Sequence, residues 1–210
     1  MKKILILCSA FILTIPVFAQ DKDTKRIGQD EFKTIFGGKT VGGYGSLGIG
    51  YAEIDERPAV TFDARGGIIL GHSFALGIGG SSFINASRYV QAENKDISLT
   101  GGYGGLFGEI IIFPKKRVHL SFPVLAGIGA ISATSANESN VDYYNIVEQT
   151  SIFMFAEPSV EVEFNFTRFF RFCGYFSYRF TSDLDLDELY AAHDALTNYS
   201  AGIRVKFGKF

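Results

Sequence analysis

From Lys39 to Phe210, apolar and polar residues alternate in eight Gly-rich segments, each closed by a break. A period of two marks a strand with differing surroundings on its two faces. The segments run near Thr40–Ile54, Val60–Leu70, Ser73–Asn85, Ile97–Phe113, Val118–Ala130, Ile152–Phe166, Phe170–Phe180 and Tyr199–Phe207. Short breaks fall at Gly71-His72, Pro114–Arg117 and Thr167–Phe169. Longer polar breaks fall at Ser87–Asp96, Thr134–Val147 and Thr181–Thr197, with a brief one at Asp55–Pro58. Each segment is long enough for a tilted strand to cross a bilayer, which takes about 9–11 residues. An open sheet of this size would leave two unpaired edges, so the pattern predicts closure. The expected fold is all-β: an eight-stranded antiparallel up-and-down transmembrane β-barrel.

The two parities separate an outside from an inside. Val60, Phe62 and Ile68 lie opposite Asp63 and Arg65, and Val160, Val162 and Phe164 lie opposite Glu157, Glu161 and Glu163. Phe172, Phe176 and Tyr178 oppose Arg171 and Arg179, and Ile203, Val205 and Phe207 oppose Arg204 and Lys206. The apolar parity is expected to face lipid. Asp63, Arg65, Glu157, Glu161, Glu163, Arg171, Arg179, Arg204 and Lys206 are expected to form a charge network in the lumen. Pairing Phe166 with Phe170 would set Glu157 opposite Arg179, the kind of partner a buried charge needs. Eight strands leave an interior just filled by side chains, so a solid lumen is favoured over a conduit.

The rhythm falters in three places. In the fourth segment Leu99, Tyr103, Phe107 and Ile111 are read as the lipid face, yet Glu109 shares their parity, which predicts a bulge near Gly108 or an interfacial Glu109. Pro158 costs the sixth segment a ladder bond. Gly208-Lys209-Phe210 steps out of the apolar register. The many strand glycines read as sites of curvature.

The start of the chain reads as an address. Lys2 and Lys3 precede an apolar run, Ile4–Phe18, and Val17-Phe18-Ala19 offers a cleavage site. Residues 1–19 are expected to be a signal peptide, residues 20–38 a periplasmic tail and residues 39–210 the barrel. Cleavage would lower Lys+Arg from 20 to 18 against 22 acidic residues, a net charge near −4. That charge excludes a nucleic-acid footprint. Cys173 would then be the only cysteine, so no intramolecular disulfide forms. Hydrophobic residues make up 47% of the chain, 21 of them phenylalanine, more than a soluble β-domain needs and suited to an apolar outer band.

Candidate chemistry is sparse. Gly43-Tyr44-Gly45-Ser46-Leu47-Gly48 matches G-x-G-x-x-G, but a dinucleotide site needs a helix to open there, whereas strand alternation continues to Tyr51. His193 shares the last long break with Ser182, Asp183, Asp185, Asp187 and Asp194, residue types that could serve a rim hydrolase. Their spacing is not diagnostic. The run Asp183–Glu188 lacks the glycine and spacing of a calcium loop. No metal and no cofactor is expected.

The leader, eight amphipathic strands, alternating short and long breaks and a terminal aromatic together resemble the small outer-membrane β-barrel family, which includes the OmpX-like proteins and the OmpA transmembrane domain. The resemblance implies residence in the cell outer membrane with both termini periplasmic. It implies contact with outer-membrane lipid and lipopolysaccharide. It further implies a C-terminal aromatic, Phe207 or Phe210, read by the barrel-assembly machinery. The expected role is a non-enzymatic structural or surface-interaction protein whose extracellular loops meet a surface partner. Two rivals remain: an outer-membrane enzyme acting on lipid A or peptides at the rim, and a soluble, lipocalin-like ligand-binding barrel.

Overall fold

The computed structural model describes residues 41–91, 94–139, 142–187 and 189–210, with the side chains of 136–139 and 142–146 outside that description. The expected signal peptide and tail lie outside the described residues. The strands are β1 (Val41–Ile54), β2 (Arg57–Leu70), β3 (Phe74–Asn85), β4 (Arg88–Val90), β5 (Lys95–Ile112), β6 (Val118–Ser139), β7 (Asp142–Asn165), β8 (Phe170–Tyr178), β9 (Phe180–Thr181) and β10 (Tyr199–Lys209). Eight of them close a ring in the order β1-β2-β3-β5-β6-β7-β8-β10, each antiparallel to its neighbours. Closure is made by β10 on β1, from Ala52 opposite Ser200 to Gly43 opposite Lys209. The fold is the antiparallel eight-stranded barrel that the alternation predicts.

The wall has a turn end and a loop end. At the turn end lie Gly71–Ser73, Phe113–Arg117 and Phe166–Phe169, together with the last residues of β10. At the loop end Asp55-Glu56 joins β1 to β2 with both φ positive, 54° and 59°. That is a two-residue turn of the primed kind, whose twist suits a hairpin. Glu is an awkward residue there, because a left-handed conformation costs a non-glycine residue about 1–2 kcal/mol. Glu56→Gly is expected to stabilise the barrel by about 0.5–1 kcal/mol after glycine's extra unfolded-state entropy is discounted. A urea titration in detergent micelles reads this; an unchanged or lowered midpoint would refute it.

All three long breaks are more ordered than the sequence suggests. Residues 134–147 are largely strand: β6 and β7 continue past the barrel wall as a hairpin, down to Ser139 opposite Asp142. A bulge between Ala133 and Thr134 leaves Glu148 without a ladder partner. Its carboxylate instead accepts from Lys95 at 2.8 Å and Ser135 at 2.7 Å, which hold its pKa below the usual carboxylate value. Within 87–96, β4 folds back on β5.

The outward parity is apolar around the ring. Leu106 is 71% and Ile152 75% exposed, and Leu47, Ile49, Ile78, Ile128, Met154 and Ile203 share that face. Aromatics gather at its two margins. Tyr51, Tyr178, Phe180 and Tyr199 lie toward the loop end, and Phe74, Phe113, Phe164, Phe166 and Phe169 toward the turn end. An apolar band between two aromatic girdles is the surface of a wall built for hydrocarbon.

One strand is inverted relative to its expected faces. In β5, Leu99, Tyr103, Phe107, Glu109 and Ile111 all point inward and are buried, while Leu106, Ile110 and Ile112 face out. Glu109 is therefore no exception, and the ladder passes Gly108 without a bulge, opposite Leu76 on one side and Val124 on the other. The physical reason lies in the strands beside it. A Cβ on Gly67 of β2 would come within 2.9 Å of the Phe107 ring and one on Gly77 of β3 within 2.7 Å. Glycines on nearby strands make room for lumen rings, so an inward face can be aromatic. Pro158 points outward, and the β6–β7 register is the same on both sides of it. The β1–β10 register likewise continues to Lys209 without a shift.

Candidate functional site

The lumen is packed with ion pairs. Five carboxylates and five Arg or Lys side chains are buried in it: Asp63, Glu109, Glu157, Glu161 and Glu163 against Arg65, Arg171, Arg179, Arg204 and Lys206. Strand alternation brings nine of them there, each on the inward parity of its strand, and Arg179, between β8 and β9, continues the inward parity of β8. Nearest the loop end, the Arg179 guanidinium donates to Glu157 at 3.0 Å and to the Tyr103 hydroxyl at 2.7 Å, while Tyr103 donates to Glu157 at 2.7 Å. The Phe166 amide donates to the Phe170 carbonyl, the pairing that puts Glu157 beside Arg179.

In the middle layer Arg204 binds Asp63 at 2.7 Å and pairs with Glu161, which Arg65 approaches at 3.4 Å. Toward the turn end the Lys206 ammonium meets three carboxylates: Glu109 at 2.6 Å, Glu161 at 2.8 Å and Glu163 at 2.7 Å. Tyr44 also donates to Glu109. Glu163 further accepts from Arg171 at 3.1 Å and Ser121 at 2.6 Å and contacts His119 at 3.0 Å. Charges removed from water are tolerated only when paired and hydrogen-bonded in this way.

Little space is left. The polar cavity between Thr61, Asp63, Arg65 and Tyr175 measures about 10 Å³, at the lower limit of the roughly 10–15 Å³ one water requires. Glu109, Tyr44, Tyr103 and His119 belong to the network but not to the set named from sequence. The Glu109 parity was the signal for the first. Glu161, Glu163 and Cys173 also lie within ligating reach of one another. Both carboxylates are committed to Arg, Lys and His partners, so the trio does not fit a metal.

The loop end is capped. Leu184, Leu186 and Leu196 are buried over the mouth, while the alternating Asp183, Asp185 and Asp187 face out. The amides of Asp185 and Asp187 donate to Ser151 and Gln149 of β7, and the Asp55 amide donates to the Ala195 carbonyl. Arg88 donates to the Leu189 carbonyl and pairs with Asp55 at 3.6 Å. The segment 181–197, expected as a solvated loop, is thus a packed strap. Ser182 Oγ accepts from the Met154 amide at 3.1 Å, and His193 Nδ1 donates to the Leu184 carbonyl at 2.9 Å. Among the described residues no hydrogen bond joins Ser182 to His193. An open cleft of about 640 Å³ lies beside His193, Asp194, Arg88 and Glu56.

At the other end Phe207 points outward against Phe170, with ring centroids 5.1 Å apart. Phe210 turns inward, 6.0 Å from Tyr44 and stacked 3.7 Å from the Arg171 guanidinium. The two aromatics in question therefore lie on opposite faces of the wall.

A closed apolar wall around a packed ionic lumen is the fold of the small outer-membrane β-barrels. Among solved structures, Neisserial surface protein A, NspA, aligns over 82% of this chain and 99% of its own at 11% identity, with a TM-score of 0.50. Ail of Yersinia pestis, in complex with the heparin analogue sucrose octasulfate, aligns over 80% of this chain and 98% of its own at 11% identity, with a TM-score of 0.48. The N-terminal β-barrel domain of Pseudomonas aeruginosa OprF covers 80% and 96% at 12% identity, with a TM-score of 0.41. No protein-family model and no curated protein matches the chain.

Proposed function

We propose that this protein is an integral outer-membrane barrel that conducts nothing and does no chemistry of its own, and that presents its strapped loop end and the β6–β7 hairpin to the cell exterior. The carrying observation is the contrast between the exposed Leu, Ile and Phe wall and the filled, charge-neutral lumen. A lipocalin-like binder needs the reverse, an apolar hollow and a wet exterior. The orientation follows from the usual placement of short turns in the periplasm and longer loops outside. In this reading both ends of the barrel domain are periplasmic, and the outward Phe207 is the aromatic offered to the assembly machinery. Lipopolysaccharide would surround the upper girdle, and a surface partner would meet the hairpin and the Asp-rich strap.

Two measurements test this. After outer-membrane fractionation, the barrel is expected to migrate differently on SDS gels with and without heating; a soluble periplasmic product would overturn the reading. In planar bilayers the purified barrel is expected to give no steady open-channel current, and a reproducible unitary conductance would refute the closed lumen.

A further inference from the structure

The two ends of the barrel carry opposite charge. Exposed Asp and Glu crowd the loop end. The turn end carries Lys115, Lys116, Arg117, Arg168 and Lys209 on its surface, and its connections, residues 71–73, 113–117, 166–169 and 208–210, contain no acid. One part of that surface is concave. A cleft of about 660 Å³ lies between the β7–β8 turn and the end of β10, lined by Phe166, Arg168, Phe169, Arg171, Lys209 and Phe210.

Its construction is fixed by backbone bonds. The Gly208 amide donates to the Phe169 carbonyl at 3.0 Å, and the Phe169 amide donates to Thr167 Oγ1 at 3.2 Å. Arg171 reaches the cleft from the lumen. It is only 6% exposed, its flat face rests on Phe210 and one terminal nitrogen is spent on Glu163, yet its Nε has no hydrogen-bond partner. A buried, unsatisfied guanidinium N–H is costly unless an acceptor arrives. Neither Arg168 nor Lys209 has a carboxylate within ion-pair reach among the described residues. Phe166 and Phe169, 70% and 66% exposed, form the outer lip and belong to the lower aromatic girdle.

We propose that this cleft binds the phosphodiester headgroup of an anionic glycerophospholipid in the leaflet at the turn end. The inference rests on the membrane reading above. Guanidinium groups match phosphate oxygens in a fork geometry, and Lys209 adds a point charge. The aromatic lip continues onto Phe170 and Phe207, which gives acyl chains a wall to lie against and favours a lipid over a free anion. The cations repel the ammonium of a zwitterionic headgroup, so the site selects phosphatidylglycerol over phosphatidylcholine.

The test reconstitutes the full barrel in bilayers of phosphatidylcholine mixed with phosphatidylglycerol, then reads retained lipid by native mass spectrometry. Phosphatidylglycerol is expected to be enriched over its bulk fraction. Arg168→Gln with Lys209→Gln is expected to lower that enrichment about fivefold per cation removed. Lys115→Gln with Lys116→Gln, an equal loss of charge on another turn, is expected to leave most of it. Should the first double variant fail to fold, Lys209→Gln alone is read for its fivefold share. Equal losses in both double variants would overturn the site in favour of diffuse charge, and full displacement by inorganic phosphate would overturn the lipid. A barrel that inserts yet shows no enrichment removes this inference alone. A barrel that stays soluble without detergent removes the membrane reading as well.

Discussion

Lys206→Met is expected to destabilise the barrel by about 3–5 kcal/mol, the cost of breaking a buried ion pair from one side. The magnitude follows from what the ammonium holds. Glu161 keeps Arg204 and Arg65, and Glu163 keeps Arg171, Ser121 and His119. Glu109 keeps only the Tyr44 hydroxyl. The variant therefore leaves one carboxylate buried with a single neutral donor, in a lumen that has lost its charge balance. Adding Glu109→Gln restores four of each sign and removes the orphan, so the double variant is expected to recover more than half of the loss. That coupling is the decisive readout, since it separates an uncompensated charge from mere lost packing. Urea midpoints in detergent micelles, followed by the heat-dependent gel shift, measure it. Equal midpoints for the Lys206→Met and double variants would show that Glu109 is not the group Lys206 neutralises.

The same logic predicts a smaller effect nearer the mouth. Glu157 and Arg179 are bound mainly to each other and to Tyr103. Replacing both by Gln and Met removes a pair rather than breaking one, which is often close to neutral. Each single substitution is expected to cost more than the double.

Most of this architecture was legible as alternation, because a barrel wall imposes one inside and one outside on every strand. The parities of β1, β2, β3, β6, β7, β8 and β10 were readable because glycine, hydroxyl or charged residues recur on their inward faces, even where rings such as Phe83, Phe153 and Phe155 sit among them. β5 was not, because the rule "apolar faces lipid" fails where the lumen is filled by rings. Tyr103, Phe107 and Leu99 look lipid-facing until the glycines of the neighbouring strands are counted as their sockets. Glu109 carried the contrary information, and one carboxylate on an aromatic parity is stronger evidence than several rings, since rings are at home on either face while a charge facing hydrocarbon is costly at mid-bilayer. The strap was illegible for a different reason. Leu184, Leu186 and Leu196 cover a mouth whose shape depends on the whole ring, and no local pattern encodes that. The cleft at Arg168 and Lys209 could not be foreseen either, since it joins a turn to the end of a strand 41 residues further along the chain.

If glycines serve as sockets, their tolerance should follow space rather than strand propensity, and two positions separate those accounts. At Gly77 of β3 a Cβ would fall on the Gly66 carbonyl oxygen, 2.6 Å from the Gly67 Cα and 2.7 Å from the Phe107 ring. Two of those neighbours are backbone of the paired strand, so relief requires moving β2 away from β3. Gly77→Val is expected to destabilise by about 3 kcal/mol or more, at or above the upper end of ordinary overpacking. At Gly174 of β8 a Cβ would meet nothing within 4 Å. Gly174→Val there is expected to be neutral or to stabilise by up to about 1 kcal/mol, because a β-branched residue replaces one with no side chain to pack. Trimming the ring tests the mechanism further. Phe107→Ala in the Gly77→Val background relieves only the side-chain contact, so it should not restore the midpoint. Equal losses at Gly77 and Gly174 would mean that these glycines act through chain curvature, and that the inward rings of β5 found their room elsewhere.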